Sequence, residues 1–572
     1  MIKILRQLRY YKIQIAIVIV LTFVQVFSQL LLPTLMADIV DIGVVTKDTR
    51  YIMNVGLVML AVALVGTGAA VVSSYSAVKV GVGYGRDLRK NLFEKVQSFS
   101  SGEFDKVGTS SLITRTTNDI KQMQNLVITG LRMMVRAPLM AIGGIVMAVS
   151  RNQELSLVII GSIVSLGVVI GVVIFVSMPL FRAMQDKLDD LNRIIRERLT
   201  GVRVIRAFNR MEHEREKFDF SNSDLAGTSL KVYRIMGLMM PLMILLINIT
   251  IVAIVWLGAF KIDSGEIQVG DIMALIQYAV HILNSVIMLT MIFISVPRAM
   301  VSSDRINEVL DMKTRIKDPV TAKKPYPGGA LEFRNVCFWY EGAKEPALED
   351  ISFTLNQGES MGIIGSTGTG KSTLVNLIPR FYDPCKGSIL MGGVDIREMS
   401  QSDIRSRIGM VPQRAVLFSG SVEDNISFGD ERISSEGIEK AARTSQAEEF
   451  IVKMDKGYES KVFQGGANFS GGQRQRLSIA RALASKREIY IFDDSFSALD
   501  FKTDAALRRA LREETSGSSA IIVSQRVSTI MDLDKIIVLE NGKMAGLGRH
   551  SDLMEKSSVY RDIVLSQMAQ GE

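Results

Sequence analysis

Long apolar runs broken by short polar punctuation fill the first three hundred positions and stop after "MIFISVPRAM". Six of them, near residues 13–36, 53–77, 130–150, 156–178, 236–260 and 270–296, are long enough to cross a bilayer, which takes a helix of roughly 20 residues. Beyond them the pattern shortens to strand-length apolar segments, glycine loops and helices. This patterning predicts a polytopic α-helical membrane domain with six transmembrane helices over residues 1–310. A linker rich in Lys, Pro and Gly follows over 311–330, and then a soluble α/β domain over 331–572.

The polar punctuation also orients the chain. "VGYGRDLRKNLFEKVQ" and "NRIIRERLTGVRVIRAFNR" are rich in Lys and Arg, whereas "SRNQELS" and "KIDSGEIQVGD" are short and poor in them. The positive-inside rule then puts both termini and the soluble domain in the cytosol. Residues 79–129 and 179–235 keep a helical period with few breakers, so the helices are expected to continue well into the cytosol. The basic start followed by an apolar run is also how a signal peptide begins. Here the run passes Leu32 without a small-residue cleavage site, which predicts a retained membrane helix.

Composition agrees with a membrane half joined to a soluble half. The chain has 572 residues, too many for one ordinary domain, and a mean hydropathy of +0.23. Its net charge of +8 comes from basic residues beside apolar runs, such as Lys3, Arg6, Arg9 and Lys12, which is membrane topology rather than a nucleic-acid footprint. Two cysteines, Cys337 and Cys385, imply no disulfide framework.

Polar residues inside a span are costly unless they face the bundle interior or water. Gln277, His281, Asn284 and Met288 recur at helical spacing in the sixth span, Gln25, Ser28 and Gln29 share a face of the first, and Asn248 lies in the fifth. Gln25, Gln29, Asn248, Gln277, His281 and Asn284 are therefore candidates for a substrate cavity, in which Met can repack around varied ligands. Interhelical hydrogen bonding that only holds the bundle together would use the same residues, and both readings stand. His281 has no metal-ligand spacing around it and reads as a bundle histidine rather than a proton carrier.

The soluble half carries nucleotide chemistry. "GSTGTGKST", comprising Gly365, Ser366, Thr367, Gly368, Thr369, Gly370, Lys371, Ser372 and Thr373, fits G-x-x-x-x-G-K-[ST] between an apolar strand and a helix. Backbone N–H groups of such a loop close on phosphate oxygens, Lys371 reaches the β and γ phosphates, and Ser372 can hold Mg²⁺. "IYIF" ends in Asp493, a carboxylate placed to bind Mg²⁺ through water. In "NFSGGQRQRLSIARAL", Ser470, Gly471, Gly472 and Gln473 open a helix whose N–H donors suit a γ-phosphate. Since the P-loop already wraps one nucleotide, this second surface makes sense against a nucleotide held by another subunit.

Together these motifs make the chain resemble a half-size ABC exporter of the type IV class, six spans fused to one ATP-binding cassette, over essentially its whole length. The resemblance implies that Tyr340 stacks on adenine, that Gln413 in "MVPQRAVLF" senses the γ-phosphate and Mg²⁺, and that Ser497 to Asp500 form the dimer-contacting D-loop. It likens "TSSLITRTTND" and "FNRMEHEREKF" to coupling regions that touch the cassettes. It also implies dimers with two composite ATP sites, each joining one P-loop to the other cassette's signature motif.

The chain departs from the family pattern at Asp494, where the catalytic Glu usually stands, and at Gln525, where the switch His usually stands. The only histidines are His213, His281 and His550, none at a switch position. "KVFQGGANFSGG" lacks the acidic-arginine loop common before the signature, and Phe469 replaces the commoner Leu. A carboxylate retracted by about one bond length, where a misplacement near 1 Å costs on the order of a hundredfold, predicts a site that binds ATP and hydrolyses it slowly. With an intact "FSGGQ", the chain resembles the degenerate-site subunit of a bacterial heterodimeric multidrug exporter in the cytoplasmic membrane. Its expected partner is a second, related half-transporter, and its expected substrates are hydrophobic or amphipathic. A slow homodimeric lipid or peptide exporter, and an ATP-gated channel or regulatory membrane protein, remain open alternatives.

Overall fold

A computed structural model describes residues 1–430 and 432–568, and the chain folds as two compact units. The first comprises Met1–Gln97 with Ser110–Asp311, and the second comprises Ser98–Thr109 with Met312–Glu572.

The first unit is built on α1 (Lys12–Asp38), α2 (Thr49–Gln97), α3 (Arg136–Arg151), α4 (Gln153–Ala207), α5 (Met211–Asp263) and α6 (Val269–Asp311). Among the described residues, six helices are long and apolar enough to cross a membrane. The 49 residues of α2 reach about 74 Å at 1.5 Å per residue, more than twice a hydrocarbon core of about 30 Å. α4 and α5, with 55 and 53 residues, overshoot similarly. The expected run of helix over 79–129 is broken, because Ser100 caps a new helix, Ser101–Val107, which stops at Gly108 with φ 77°. That short piece folds with the second unit, whereas Ser110–Asp119 of the "TSSLITRTTND" stretch folds with the first.

Between lipid-facing helices the apolar effect is weak, and close packing of small residues replaces it. A Cβ on Gly144 would lie 2.6 Å from Ile282, and one on Gly258 would lie 2.5 Å from Ile272. Leu30, Met140, Ile254, Ile272, Tyr278 and Ile282 form the core that results.

In the second unit, β1 (Leu331–Phe338), β2 (Leu348–Leu355), β3 (Ser360–Ile364), β4 (Lys386–Met391), β5 (Val394–Asp395) and β6 (Ile408–Val411) come first. β7 (Gly420–Ser421), β8 (Lys461–Val462), β9 (Ile489–Asp493), β10 (Ser519–Val523), β11 (Lys535–Glu540) and β12 (Lys543–Gly548) follow. A four-stranded antiparallel sheet has the order β2-β1-β4-β5, and a six-stranded sheet has the order β12-β11-β3-β10-β9-β6. Within the larger sheet only the β11–β12 pairing is antiparallel.

Alternation along β9 explains why that sheet is covered on both sides. Ile489 and Ile491 point into one apolar cluster with Met361, Ile521 and Ile537, while Tyr490 and Phe492 point into the other with Ile364, Ile522 and Val538. Strands buried on both faces read as continuous apolar runs, as "IYIF" does.

Candidate functional site

The order β3-β10-β9-β6 brings four loops to one edge of the sheet, the usual place for a ligand in a parallel α/β sheet. β3 leads into the P-loop and α7 (Lys371–Leu377), β10 leads to Gln525, β9 ends in Asp493 and Asp494, and β6 leads to Gln413. Motifs scattered over 160 positions of sequence thus become neighbours through strand pairing.

The loop from Gly365 to Gly370 turns tightly enough to exclude side chains at its end. Gly370 has φ 95°, and a Cβ there would lie 2.6 Å from the Ala347 carbonyl oxygen, so glycine is required. Thr369 Oγ1 donates to the Ser366 carbonyl at 2.9 Å, and Lys371 Nζ donates to the Gly365 and Ser366 carbonyls at 2.6 and 2.7 Å. Thr367 and Gly368 form the exposed crest, and Thr373 on the first turn of α7 is buried.

Ser372 Oγ donates to Asp493 Oδ1 at 3.1 Å. Two oxygen donors side by side suit Mg²⁺, which keeps water and phosphate oxygens in the rest of its shell instead of a full protein cage. No group of three or more His, Cys, Asp or Glu placed to hold a metal occurs among the described residues. Burial raises the Asp493 pKa, the Ser372 hydrogen bond opposes it, and the Asp494 charge adds to it. Burial likewise lowers Lys371, against the pull of Asp494 and Asp493.

Asp494 occupies left-handed backbone, φ 44°, held by its N–H donating to the Val523 carbonyl at 3.0 Å and by Ser497 Oγ donating to its own carbonyl at 3.0 Å. Its Oδ2 receives Gln413 Nε2 at 3.4 Å and Gln525 Nε2 at 3.5 Å. All three residues that departed from, or sensed, the expected chemistry therefore meet at one carboxylate oxygen. Burial raises Asp494 above the usual carboxylate range, with Gln413 and Lys371 acting in the opposite direction.

Tyr340 lies next to this edge, its Oη 3.0 Å from Thr373 Oγ1. Its ring makes edge contacts with Phe338 and Tyr382 at 5.0 and 5.7 Å and borders a cavity of about 840 Å³. The same cavity is lined by Glu103, Lys106 and Arg315, and by no P-loop residue.

The signature residues form a separate surface. Ser470 caps α8 (Gly471–Leu483): Gln473 N donates to its Oγ at 3.3 Å, and its own N–H donates to Gln473 Oε1 at 2.9 Å. Ser470 and Gly471 are exposed, nothing lies within 4 Å of a Cβ built on Gly471, and a Cβ on Gly472 would lie 3.2 Å from the Ala498 carbonyl. Phe469 is buried against Phe450, so the exchange for Leu alters packing beneath the motif and leaves its exposed N–H groups in place. Asp500 caps α9 (Phe501–Glu514) by accepting from Thr503 N at 3.0 Å, which makes the D-loop aspartate a helix start.

The membrane candidates divide. Gln25 and Ser28 are buried and Gln29 is half-buried on α1, while Gln277 and Asn284 are exposed and His281 half-buried on one face of α6. Asn248 is exposed on α5, and no hydrogen bond joins it to the others among the described residues. Sequence reasoning passed over Arg136, whose Nη2 donates to Gln29 Oε1 at 3.3 Å. Its signal was an arginine inside the 130–150 apolar stretch.

Comparison with known proteins agrees with this architecture. A family model described as the ABC transporter transmembrane region matches residues 15–286, and one described as ABC transporter matches residues 348–497. An uncharacterized ABC transporter ATP-binding protein of Mycobacterium tuberculosis is 41% identical over 98% of this chain and 97% of its own length. The similarly described YfiB of Bacillus subtilis is 37% identical over 99% and 98%. A solved bacterial Atm1-family ABC exporter with ATP bound superposes with TM-score 0.79 at 23% identity, covering 98% of each chain, and so shares the fold.

Proposed function

This chain belongs to the ABC transporter family as a half-size exporter, and on that premise we propose that its own ATP site binds nucleotide but turns it over slowly, completed and served by a different half-transporter. The assembled heterodimer exports hydrophobic or amphipathic compounds across the cytoplasmic membrane, with both cassettes in the cytosol. Gly365 to Thr373 and Tyr340 hold ATP. Ser372 and Asp493 would hold Mg²⁺ with Gln413 nearby, and the ion would neutralise charge on the β and γ phosphates.

One observation carries the reading: Asp494 and Gln525 face each other at the γ-phosphate edge, and neither residue suits hydrolysis. Asp reaches less far than Glu toward an attacking water, and a Gln amide can hydrogen-bond but cannot carry charge. Ser470 and Gly471 are exposed, Gly472 and Gln473 are half-buried, and the helix start is capped, which supports a role toward a partner's P-loop. ATP binding at both sites closes the cassettes and turns the cavity outward, and hydrolysis at the partner-based site resets it.

The test is Asp494→Glu with Gln525→His in the purified heterodimer. ATP turnover is expected to rise by on the order of tenfold to a hundredfold, since that is the scale of a 1 Å correction. No gain would mean that the impairment lies elsewhere. Brisk, vanadate-sensitive turnover by the wild-type chain alone would favour a homodimer, and passive current without uphill transport would favour a channel.

A further inference from the structure

A polar side chain at membrane depth must find a partner or a wet cavity. Most in the first unit find partners. Tyr278 Oη donates to the Leu30 carbonyl at 3.1 Å, Thr250 Oγ1 donates to Ser162 Oγ at 2.7 Å, and Thr22 and Ser73 hydroxyls lie 3.0 Å apart. Arg151, closing α3, is paired twice, with Asp38 at 3.3 Å and Asp271 at 3.1 Å.

Arg136 opens the same 16-residue helix, about 22 Å from Arg151 and so within a hydrocarbon layer about 30 Å deep. It has no carboxylate within ion-pair distance among the described residues, and its one hydrogen bond goes to the neutral amide of Gln29. Arg132 stands four residues earlier in the chain, so the charge next to it in sequence is also cationic. Half-buried His281 and the exposed Gln277 and Asn284 share one face of α6, the helix packed along α3. The group therefore has hydrogen-bonding capacity and positive charge but no anion.

We propose that Arg136 is the anion-recognising residue of the transport cavity, so that the exporter selects amphipathic compounds bearing a carboxylate, sulfonate or phosphate group. This adds a substrate class to the exporter reading above and rests on it, but not on the asymmetry of the ATP sites. A guanidinium offers two parallel N–H donors to such a group, and Gln29 Oε1 restrains it by accepting from Nη2. Apolar side chains of the helices accept the body of the compound, and cationic amphiphiles are repelled.

The test uses the full-length chain with its partner in phosphatidylcholine nanodiscs, without ATP, and two fluorescent probes of matched body, pyrenesulfonate and pyrenemethylammonium. Wild type is expected to bind the anion more tightly than the cation after subtraction of empty nanodiscs. Arg136→Gln is expected to weaken anion binding about tenfold or more while leaving the cation unchanged or stronger. Arg136→Lys, which keeps the charge without the fork, is expected to lose severalfold and supplies the answer if the Gln variant does not fold. Anion binding within twofold of wild type in Arg136→Gln, or an equal loss of both probes, overturns the proposal. So does a wild-type complex with no anion preference, the result expected if a partner carboxylate neutralises Arg136. ATP-driven uptake of pyrenesulfonate into inverted vesicles that Arg136→Gln abolishes assigns the site to a transported solute. Loss of co-purified anionic phospholipid without uptake assigns the same chemistry to a lipid headgroup. Because binding is read without nucleotide, failure here is distinguishable from failure of the slow-site reading, which turnover tests.

Discussion

Ser372 Oγ donates to Asp493 Oδ1 across 3.1 Å, joining the first turn of the P-loop helix to the end of a strand two places away in the sheet. Ser372→Ala and Asp493→Asn should each weaken Mg²⁺-dependent ATP binding by about tenfold, the worth of one charge-assisted contact. Binding in EDTA should change much less. Titration of a fluorescent ATP analogue with and without Mg²⁺ checks this, and equal losses in both conditions would argue against a metal role.

Tyr340 should act through its ring. Tyr340→Phe removes only the contact with Thr373 and should keep ATP affinity within about twofold, whereas Tyr340→Ala should weaken it roughly fivefold to a hundredfold, the range of base–aromatic stacking. Equal effects of the two substitutions would show that the hydroxyl matters more than the stack.

Gly471 stands in open space at an exposed helix start, so Gly471→Asp should leave the fold intact while opposing a phosphate. In the proposed heterodimer, turnover at the partner's P-loop should fall by at least about tenfold, with ATP binding at this chain's own P-loop unchanged. Photolabelling of each cassette by an azido-ATP separates the two sites. Unaltered turnover would remove the signature from the working site.

Burial holds Asp494 above the usual carboxylate range. The folded chain therefore keeps this proton more tightly than the unfolded chain, and ionisation works against folding as pH rises through the raised value. Below the ordinary value of 3.8 both states are protonated and the effect vanishes. Asp494→Asn should accordingly melt higher than wild type at pH 7. The gap should shrink as pH falls toward about 4. A melting gap that is negative, or constant across this range, would contradict the assignment.

Much of the fold was legible because two strong signals carried it. Membrane helices announce themselves by length, and "IYIF" and the residues before Gly365 read as buried strands because both sheet faces are covered. The meeting of Gln413, Asp494 and Gln525 at one oxygen was not legible, since it depends on strand order, which spacing along the chain does not encode. The break at Ser98–Gly108 was missed because Ser100 and Gly108 act as cap and stop only once Glu103 turns back to the Ser100 N–H, at 2.8 Å. Arg136 was hidden because basic residues beside spans read as topology signals, and only its bond to Gln29 marks it as lying among the helices.

The second unit is not one uninterrupted stretch of chain. Tyr382 Oη donates to Asp105 Oδ2 at 2.8 Å, Glu341 pairs with Lys106 at 3.4 Å, and Glu103 accepts from Arg315 N at 3.3 Å, all inside that unit. A cassette expressed from Leu331 onward would leave Tyr382 and Glu341 without these partners, on the side of the nucleotide edge where Tyr340 sits. Truncated cassettes are therefore an altered reagent for this protein: nucleotide affinities taken from them describe a domain missing a segment that only the full chain provides.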